Sequence, residues 1–203
     1  MIIVGLCGGS GSGKGSVCAV FEKNGFPTID TDEVYHRLVS TDSECLKELA
    51  SEFGQGIVKD GALDRRALAD IVFSADPSGQ RLAALNKIAH KHVLNEAGRL
   101  IEEYSQEGCR IAVVDAPLLF ESGFDKKCDI TVAVLAERDI RIKRIMARDN
   151  ITYPEAERRI DAQHTDEWLR AHADRTVENN SDTEALSGAV SRLIEEILNE
   201  FGE

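Results

Sequence analysis

Residues 1–24, MIIVGLCGGSGSGKGSVCAVFEKN, decide the fold of this chain. The stretch opens with an apolar run that does not alternate with polar residues, which predicts a strand buried on both faces. Four glycines and Lys14 come next, and a helical pattern then runs to Asn24-Gly25, where it ends. A strand, a glycine loop and a helix N-terminus in this order predict a phosphate site, because backbone N–H groups and the helix dipole attract anions.

The spacing Gly8-x4-Gly13-Lys14 agrees with the Walker A phosphate loop up to its last position. The pattern requires Ser or Thr after the lysine, where the hydroxyl ligates Mg²⁺, but Gly15 stands there and Ser16 follows one place later. We therefore expect Ser16, a water or another part of the chain to hold the metal. The alternative, a flexible Gly/Ser turn, is disfavoured because a strand and a helix flank the loop as the motif requires.

The composition is that of a soluble globular protein. The chain has 203 residues, of which 42% are hydrophobic and 30% charged, enough for one packed domain with an inserted lobe. The formal net charge of −12 predicts a surface that repels nucleic acid and anionic membranes, so neither is expected as a partner. An anionic substrate must therefore meet a local cluster of basic residues.

The cysteines and the start of the chain predict a cytoplasmic protein. The cysteine count is odd, no C-x-x-C pair occurs, and the first predicted strand begins at residue 2, which leaves no room for a targeting segment. We expect free thiols in a reducing compartment, with three of the five in apolar surroundings. The five are Cys7, Cys18, Cys45, Cys109 and Cys128.

A second short strand at 26–29 leads into Asp30-Thr31-Asp32. Ligands of open α/β sheets gather at the carboxyl ends of the strands, so both carboxylates are expected to face the phosphate site. Asp32 is the candidate base, and Asp30 is a candidate for holding metal or water. The alternative for either residue is a helix N-cap, since Asp is favoured there. Both interpretations can hold at once if one Asp caps the helix and the other faces the phosphate site.

Residues 35–104 read as helical, with a break at 76–79 and a helix that Asp64 opens. So much helix between two strands exceeds an ordinary crossover, so we predict an inserted helical lobe that holds the substrate. His90 and His92 are two residues apart and diverge on a helix, which favours surface or substrate contacts over a shared metal ion.

A third apolar run, 111–114, ends in Asp115, the arrangement of a Walker B acid that reaches Mg²⁺ directly or through water. The alternative is a carboxylate that only caps the next turn. The apolar segment 116–120 follows, and its position predicts a loop too exposed to serve only as core.

Basic residues crowd the helix predicted after a fourth strand at 130–136. A charge run is usually a solvated face, but in a chain of net charge −12 five cations in eleven residues favour contacts with phosphate. A polar helical hairpin, 152–166, is predicted next and could close over a bound nucleotide. The five cations are Arg138, Arg141, Lys143, Arg144 and Arg148.

In their order along the chain, these motifs resemble those of the dephospho-coenzyme A kinases. The resemblance rests on GLCGGSGSGKGSV, IDTDEVYHRL, DGALDRRALADIVF, IAHKHV, VVDAPLLFESG and RIKRIMARD, and it covers nearly the whole chain. It implies an enzyme that transfers a phosphoryl group from ATP, with Mg²⁺, to the ribose 3′-hydroxyl of dephospho-CoA, the last step of coenzyme A synthesis. Its partners would be ATP and dephospho-CoA, and the protein is expected to be a monomer or a weak homo-oligomer.

The resemblance also implies the fold, a three-layer α/β/α P-loop kinase with a parallel five-stranded sheet. We predict a core of residues 1–34, 105–143 and 170–203, a CoA-binding helical lobe of residues 35–104 and a helical lid of residues 144–169. The last strand is expected at Thr176-Val177, followed by a final helix.

Carried over by position, the resemblance implies the roles of individual residues. Asp32, Lys14 and Arg144 would be catalytic, with Asp32 accepting or orienting the proton of the 3′-hydroxyl, and Ser16 and Asp115 would hold the metal. The acceptor side would be lined by Asp32, Arg65, His90, Pro117, Leu118 and Leu119. ATP would be bound by Gly9, Gly11, Ser12, Gly13, Lys14, Gly15, Ser16, Arg144, Arg148 and Asn179.

The chain departs from the family pattern at Gly15, at Lys91 in place of a proline, and at Ser181 in place of a glycine. Two rival functions therefore stay open: a kinase of another small hydroxyl compound or nucleoside monophosphate, and a nucleotide-binding regulator without turnover. A GTPase is disfavoured because the segment 86–89, NKIA, lacks the aspartate that reads guanine.

Overall fold

The computed structural model describes residues 1–74 and 79–202, so most of the predicted break at 76–79 lies outside the described residues. The chain forms two compact units, Met1–Ile29 with Glu103–Glu203, and Asp30–Glu102. The second unit begins a few residues before the predicted lobe, 35–104, and ends shortly before the end of that lobe. That this lobe binds CoA stays a prediction.

A five-stranded sheet forms the centre of the first unit. Its strand order is β2-β5-β1-β6-β7, and β1 pairs parallel with both β5 and β6. The expected α/β fold with a parallel sheet is thereby confirmed. The strands are β1 (Ile2–Cys7), β2 (Thr28–Asp30), β5 (Ile111–Asp115), β6 (Ile130–Leu135) and β7 (Arg175–Glu178).

Strand β1 is central, which explains its apolar sequence. Val4 lies opposite Val113 of β5, and Leu6 lies opposite Val132 of β6. Because the chain passes to both sides of β1, the loop after it lies at the switch point where α/β folds bind ligands. Helices cover the sheet, and the apolar face of α9 packs on α1. The helices of this unit are α1 (Lys14–Lys23), α6 (Arg138–Asp149), α7 (Tyr153–Asp161), α8 (Asp166–His172) and α9 (Thr183–Phe201).

The lid segment, 144–169, begins inside α6 and continues through α7 into α8. Ile142 and Ile145 of α6 are buried against Ala156 and Ile160 of α7, which makes a small separate core. Thr152 and Glu155 form a capping box that fixes the start of α7. The predicted helical hairpin is present, and its action as a lid stays a prediction.

The second unit is helical around its own apolar core. It contains α2 (Thr31–Val39), α3 (Glu44–Phe53), α4 (Arg65–Ser74) and the part of α5 (Gln80–Gln106) that precedes Glu103. The expected start of α4 is confirmed, because the Asp64 carboxylate accepts hydrogen bonds from the N–H groups of Arg66 and Ala67. The apolar core of this second unit includes Leu49, Ile57, Leu68 and Ile88.

The interpretation of 35–104 as wholly helical is wrong in one place. Strands β3 (Val58–Lys59) and β4 (Ala62–Leu63) form an antiparallel hairpin. Asp60 and Gly61 make its two-residue turn with positive φ angles of 53° and 79°. This is the turn that Asp-Gly favours, because both central residues must enter the left-handed region. No described helix has the length and apolar composition that crossing a membrane requires.

Candidate phosphate-binding and acceptor site

The glycine loop lies between the carboxyl end of β1 and the first turn of α1. Gly13 is the N-cap of α1, with φ 94°, and a Cβ atom there would lie 2.0 Å from Nδ2 of Asn179. Only glycine satisfies both the left-handed backbone and this close approach. The predicted combination of strand, loop and helix N-terminus is therefore present, with the N–H groups of the first turn of α1 available to an anion.

Lys14 lies beside the carboxylate at the end of β5. Its Nζ atom is 3.8 Å from Oδ1 of Asp115, and each of the two side chains is only 14% exposed. Nζ also donates to the carbonyl of Gly8 at 3.3 Å. On the other side of Asp115, the Sγ atom of Cys18 is 3.8 Å from Oδ2. The structure thus brings together the Walker A lysine and the Walker B acid that the sequence placed a hundred residues apart.

The position after the lysine is open. A Cβ atom built on Gly15 would meet no heavy atom within 4 Å, and both Gly15 and Ser16 are exposed in the first turn of α1. A hydroxyl side chain would therefore fit at position 15. Among the described residues no group of three or more His, Cys, Asp or Glu could hold a metal ion. One carboxylate, one hydroxyl and nucleotide phosphates suit Mg²⁺, which keeps several waters and needs few protein ligands.

Arg144 and Asn179 fasten the loop through its carbonyl groups. Nη1 of Arg144 donates to the Gly11 carbonyl at 3.2 Å, and Nη2 donates to the Asn179 carbonyl at 3.0 Å. Asn179 is only 5% exposed, and its side chain donates from Nδ2 to the Ser12 carbonyl at 2.7 Å. Both predicted ATP-binding residues thus contact the loop itself, and their contact with a nucleotide stays a prediction.

Arg141 does not present its charge to solvent. Arg141 is only 4% exposed, and its Nη1 atom lies 3.0 Å from Oδ1 of Asp166 at the start of α8. Burial lowers the pKa of the Arg141 guanidinium, and burial also raises the pKa of the Asp166 carboxyl from its ordinary value. Desolvation therefore offsets part of the attraction between the two charges.

Three of the five cations of α6 are paired with carboxylates, and the predicted contact of this basic run with phosphate stays a prediction. Arg141 pairs with Asp166, Arg138 pairs with Asp161 and Glu157, and Arg148 binds the carboxylate of Asp149 through two nitrogens, at 2.7 and 2.9 Å. These acids lie on α7, on α8 or at the end of α6, so the sequence of the basic run alone did not reveal them. Lys143 is exposed.

In the second unit, Asp30 takes the helix-cap role that the sequence left open, and the catalytic role of Asp32 stays a prediction. Oδ1 of Asp30 accepts from the N–H groups of Asp32 and Glu33, at 2.8 and 3.1 Å, so Asp30 is the N-cap of α2. Asp32 is exposed on the first turn of that helix. It lines a cavity of about 670 Å³ whose other walls include Arg65 and the apolar side chains Leu63, Leu68, Val72, Phe73 and Leu85.

The segment 116–120 is partly exposed and partly core. Pro117 and Leu118 are exposed, and both line a cavity of about 420 Å³ beside Gly8 and Gly9 of the loop. Leu119 is fully buried, and its methyl groups lie 3.1 Å from the position of a Cβ on Gly5 of β1. The Leu119 side chain therefore packs in the core against β1 and does not line this cavity, and its predicted place on the acceptor side stays untested.

The two histidines of α5 differ in their surroundings. Nε2 of His92 lies 2.6 Å from a carboxylate oxygen of Glu48, which also accepts from Lys91 at 2.7 Å. His90 is half-buried and is not among the described residues that line the second unit's cavity. Its predicted contact with the acceptor stays untested.

Burial governs the ionisation of two of the buried cysteines. Burial, as the main cause, raises the pKa of Cys7, directly before the loop, to about 12 and that of Cys45 to about 11. Both are therefore neutral thiols at physiological pH. All five cysteines are free, and Cys7, Cys18 and Cys45 are buried, as expected.

Comparison with known proteins decides the family. The family model for dephospho-CoA kinase matches residues 2–185. The chain belongs to the dephospho-CoA kinase family. A dephospho-CoA kinase from Corynebacterium glutamicum is 38% identical over 199 residues, which cover 98% of each chain. The dephospho-CoA kinase of Symbiobacterium thermophilum is 39% identical over 180 residues, which cover 88% of this chain and 74% of that protein.

Solved structures agree with the fold of a dephospho-CoA kinase. A crystal structure from Thermus thermophilus aligns with a TM-score of 0.78 at 33% identity, over 100% of this chain and 98% of that chain. A dephospho-CoA kinase from Campylobacter jejuni aligns with a TM-score of 0.70 at 22% identity, over 96% of each chain. Shikimate kinase from Acinetobacter baumannii, at 17% identity and a TM-score of 0.58, shares the fold alone.

Sequence reasoning missed two groups of residues in the first unit. Gln163, in the turn between α7 and α8, hydrogen-bonds to Ser10 of the glycine loop. Trp168 of α8 is stacked between the rings of His164 and His172, each 3.7 Å away, with Phe120 edge-on at 5.3 Å. The four-residue spacing of 164, 168 and 172, from the turn before α8 to its last residue, was the available signal for the stack, and nothing in the sequence marked Gln163.

Proposed function

We propose that the protein transfers the γ-phosphoryl group of ATP to the ribose 3′-hydroxyl of dephospho-CoA and so makes coenzyme A. The observation that carries the proposal is the match to the dephospho-CoA kinase family across residues 2–185. The Lys14–Asp115 pair at the glycine loop supports it independently, because this pair joins the two motifs on which phosphoryl transfer depends.

Phosphoryl transfer relies mainly on positioning and on charge stabilisation, and the chain has groups for both. The N–H groups of the loop and of the first turn of α1 would bind the ATP phosphates, and Lys14 would neutralise the β- and γ-phosphates. Arg144, whose Nη1 is 3.2 Å from the Gly11 carbonyl, is close enough to the loop to add a second charge. We assign ATP binding to Gly9 and 11–16 with Arg144, Arg148 and Asn179, as the resemblance implies.

Arg148 is a weaker candidate than Arg144. Its guanidinium is bound by Asp149, so contact with ATP would require Arg148 to leave that carboxylate. The pair is on the surface and costs little to break, because exposed ion pairs contribute about 0–1 kcal/mol. Arg148 therefore stays in the proposed site.

The residues fit Mg²⁺, which when bound with ATP would draw negative charge from the phosphate oxygens. Asp115 would hold the ion directly or through water, and Ser16 would contribute a hydroxyl from the first turn of α1. Gly15 leaves space for a water where the Walker A hydroxyl normally lies. We therefore expect a site with one carboxylate and more water than usual, which binds Mg²⁺ more weakly.

Asp32 would orient the 3′-hydroxyl and accept its proton. Asp32 is exposed and lines the second unit's cavity, as Arg65 does, which supports this role. Arg65 would bind the pyrophosphate of dephospho-CoA, since a guanidinium suits that group. His90, Pro117 and Leu118 are proposed to contact the acceptor, and Leu119 would take part only through its backbone.

The test is release of ADP by the purified protein with ATP and Mg²⁺, with and without dephospho-CoA. The proposal predicts strong stimulation by dephospho-CoA and none by adenosine or AMP at the same concentration. Stimulation by AMP instead would indicate a nucleoside monophosphate kinase. ATP binding without stimulation by any acceptor would indicate the nucleotide-binding regulator that Gly15 keeps open.

Two properties of the working enzyme complete the proposal. The free, buried cysteines support a reducing, cytoplasmic compartment. The protein is proposed to work as a monomer or a weak homo-oligomer, which sedimentation at micromolar concentration would test.

A further inference from the structure

Ser10 of the glycine loop is held at three atoms by residues that follow it by more than 130 positions. Its N–H donates to Oε1 of Gln163 at 2.8 Å, and Nε2 of Gln163 lies 3.2 Å from its Oγ. Its carbonyl accepts from Nε of Arg141 at 3.0 Å. Ser10 is thereby fixed by one side chain of α6 and by one in the turn between α7 and α8.

Arg141 is the rigid half of this support. Its guanidinium is buried, pairs with Asp166 and donates to Oε1 of Gln163 at 3.2 Å. A Cβ atom on Gly9 would lie 2.1 Å from Nη2 of Arg141, so the guanidinium packs directly against the loop backbone. The guanidinium of Arg141 is therefore engaged by Asp166 and by the loop.

Gln163 is the second residue that holds Ser10, and it is less tightly fixed than Arg141. It is half-buried, lies outside any helix, and lines the cavity beside Gly8 and Gly9. Its Oε1 accepts from both Ser10 and Arg141, so the amide has one orientation in which all its contacts are made. A displacement of the lid segment at this turn would therefore change the hydrogen bonds of the loop.

We propose that Gln163 is a positioning residue for ATP: by holding Ser10 it keeps the glycine loop in its phosphate-binding conformation and couples that loop to the lid segment. The inference rests on the proposed use of ATP but not on the identity of the acceptor. Preorganised N–H groups bind phosphate without paying for ordering the loop, so a loosened loop binds ATP less tightly.

The experiment compares Gln163→Met, which keeps the size of the side chain and removes its hydrogen bonds, with Gln106→Met at the exposed C-terminal end of α5. Two quantities are measured without acceptor: the rate of amide hydrogen exchange at Ser10 in the ligand-free protein, and the affinity for ATP. Gln163→Met removes both hydrogen bonds to Ser10 and the one that Arg141 donates. The loss of the two neutral bonds to Ser10 predicts about tenfold faster exchange and about tenfold weaker ATP binding. Gln106→Met should match the wild type in both.

A double-mutant cycle with Ser10→Ala tests whether Gln163 acts through Ser10. The effects on ATP affinity should be less than additive, because both variants remove the same Nε2–Oγ contact. The KM for ATP should rise in Gln163→Met while the KM for dephospho-CoA stays within twofold of the wild type.

Three results would overturn the inference. Unchanged exchange at Ser10 means that Gln163 does not hold the loop, and faster exchange with unchanged ATP affinity means that the contact is only structural. Full additivity means that the effect bypasses Ser10. These results differ from a failure of the proposed kinase activity. In that case the wild-type protein itself would bind ATP but release no ADP with dephospho-CoA.

Discussion

Nζ of Lys14 lies 3.8 Å from Oδ1 of Asp115, so the cation at the start of α1 faces the carboxylate at the end of β5. Two unit charges at this separation attract by about 4 kcal/mol at an effective dielectric constant of 20, part of which offsets their desolvation. The pair keeps both charges in place in the absence of ligand. When ATP binds with its metal, we expect Lys14 to exchange Asp115 for phosphate oxygens, which leaves the carboxylate to the ion.

The substitution Gly15→Ser should lower the Mg²⁺ concentration needed for half-maximal activity by about three- to tenfold. The reason is that the new hydroxyl enters open space at the position where the Walker A motif supplies a metal ligand. The measurement is a Mg²⁺ titration of the ADP-release assay at saturating ATP.

The matched control for this variant is Gly98→Ser, within α5, where a Cβ atom also meets nothing within 4 Å. It reproduces the gain in helix propensity without a ligand near phosphate. An identical shift in both variants, or none in Gly15→Ser, would show that the metal does not depend on this position.

The substitution Asp32→Asn should lower kcat by about 100-fold or more while the affinity for ATP changes less than twofold. An amide cannot accept the proton of the 3′-hydroxyl, and general-base catalysis commonly contributes 10²- to 10⁴-fold. The measurement is steady-state kinetics together with ATP binding. Glu33→Gln is the control, since Glu33 follows directly and lines the same cavity. A near-normal kcat in Asp32→Asn would remove Asp32 from its proposed role.

The substitution Asp174→Asn tests a pH-dependent contact beside β6. The Asp174 carboxylate accepts from the hydroxyl and the N–H of Thr131, at 2.6 and 2.8 Å, and these hydrogen bonds lower the pKa of Asp174 from its ordinary value. The unfolded chain therefore takes up the proton first as the pH falls. The stabilisation is complete above about pH 4 and is lost as the pH falls through the lower folded pKa.

We expect Asp174→Asn to lower the free energy of unfolding at pH 7 by about 0.5–1.5 kcal/mol, a small value because the residue is largely exposed. The difference from the wild type should shrink below about pH 4. Urea unfolding at several pH values measures it, with Asp70→Asn on the exposed face of α4 as the control. A difference independent of pH would mean that the charge of Asp174 is not what stabilises β6.

The fold was predictable because its signals are local. The apolar run of β1, the glycines after it and the cap at Asp64 each act within a few residues, and the structure has the corresponding elements. The hairpin at Asp60-Gly61 was missed because each strand has only two residues, too few for an alternating pattern. Its Asp-Gly turn was nevertheless a usable signal.

The residues of the candidate site could be predicted only where a sequence motif specifies both the residue type and its spacing. Lys14 and Asp115 meet as their motifs require. Arg141 is paired with Asp166, and Leu119 packs against Gly5, and both partners are distant in sequence. No local pattern specifies such tertiary contacts, so the burial of Arg141 and of Leu119 could not be predicted from the sequence.

The most direct test of the central claim is the position of the transferred phosphate. Purified protein is incubated with ATP, Mg²⁺ and dephospho-CoA, and the product is examined by phosphorus and proton nuclear magnetic resonance. The account predicts one new phosphate monoester on the ribose 3′-oxygen, formed in equal amount with ADP. Phosphate on another oxygen, or ADP accompanied only by inorganic phosphate, would contradict it.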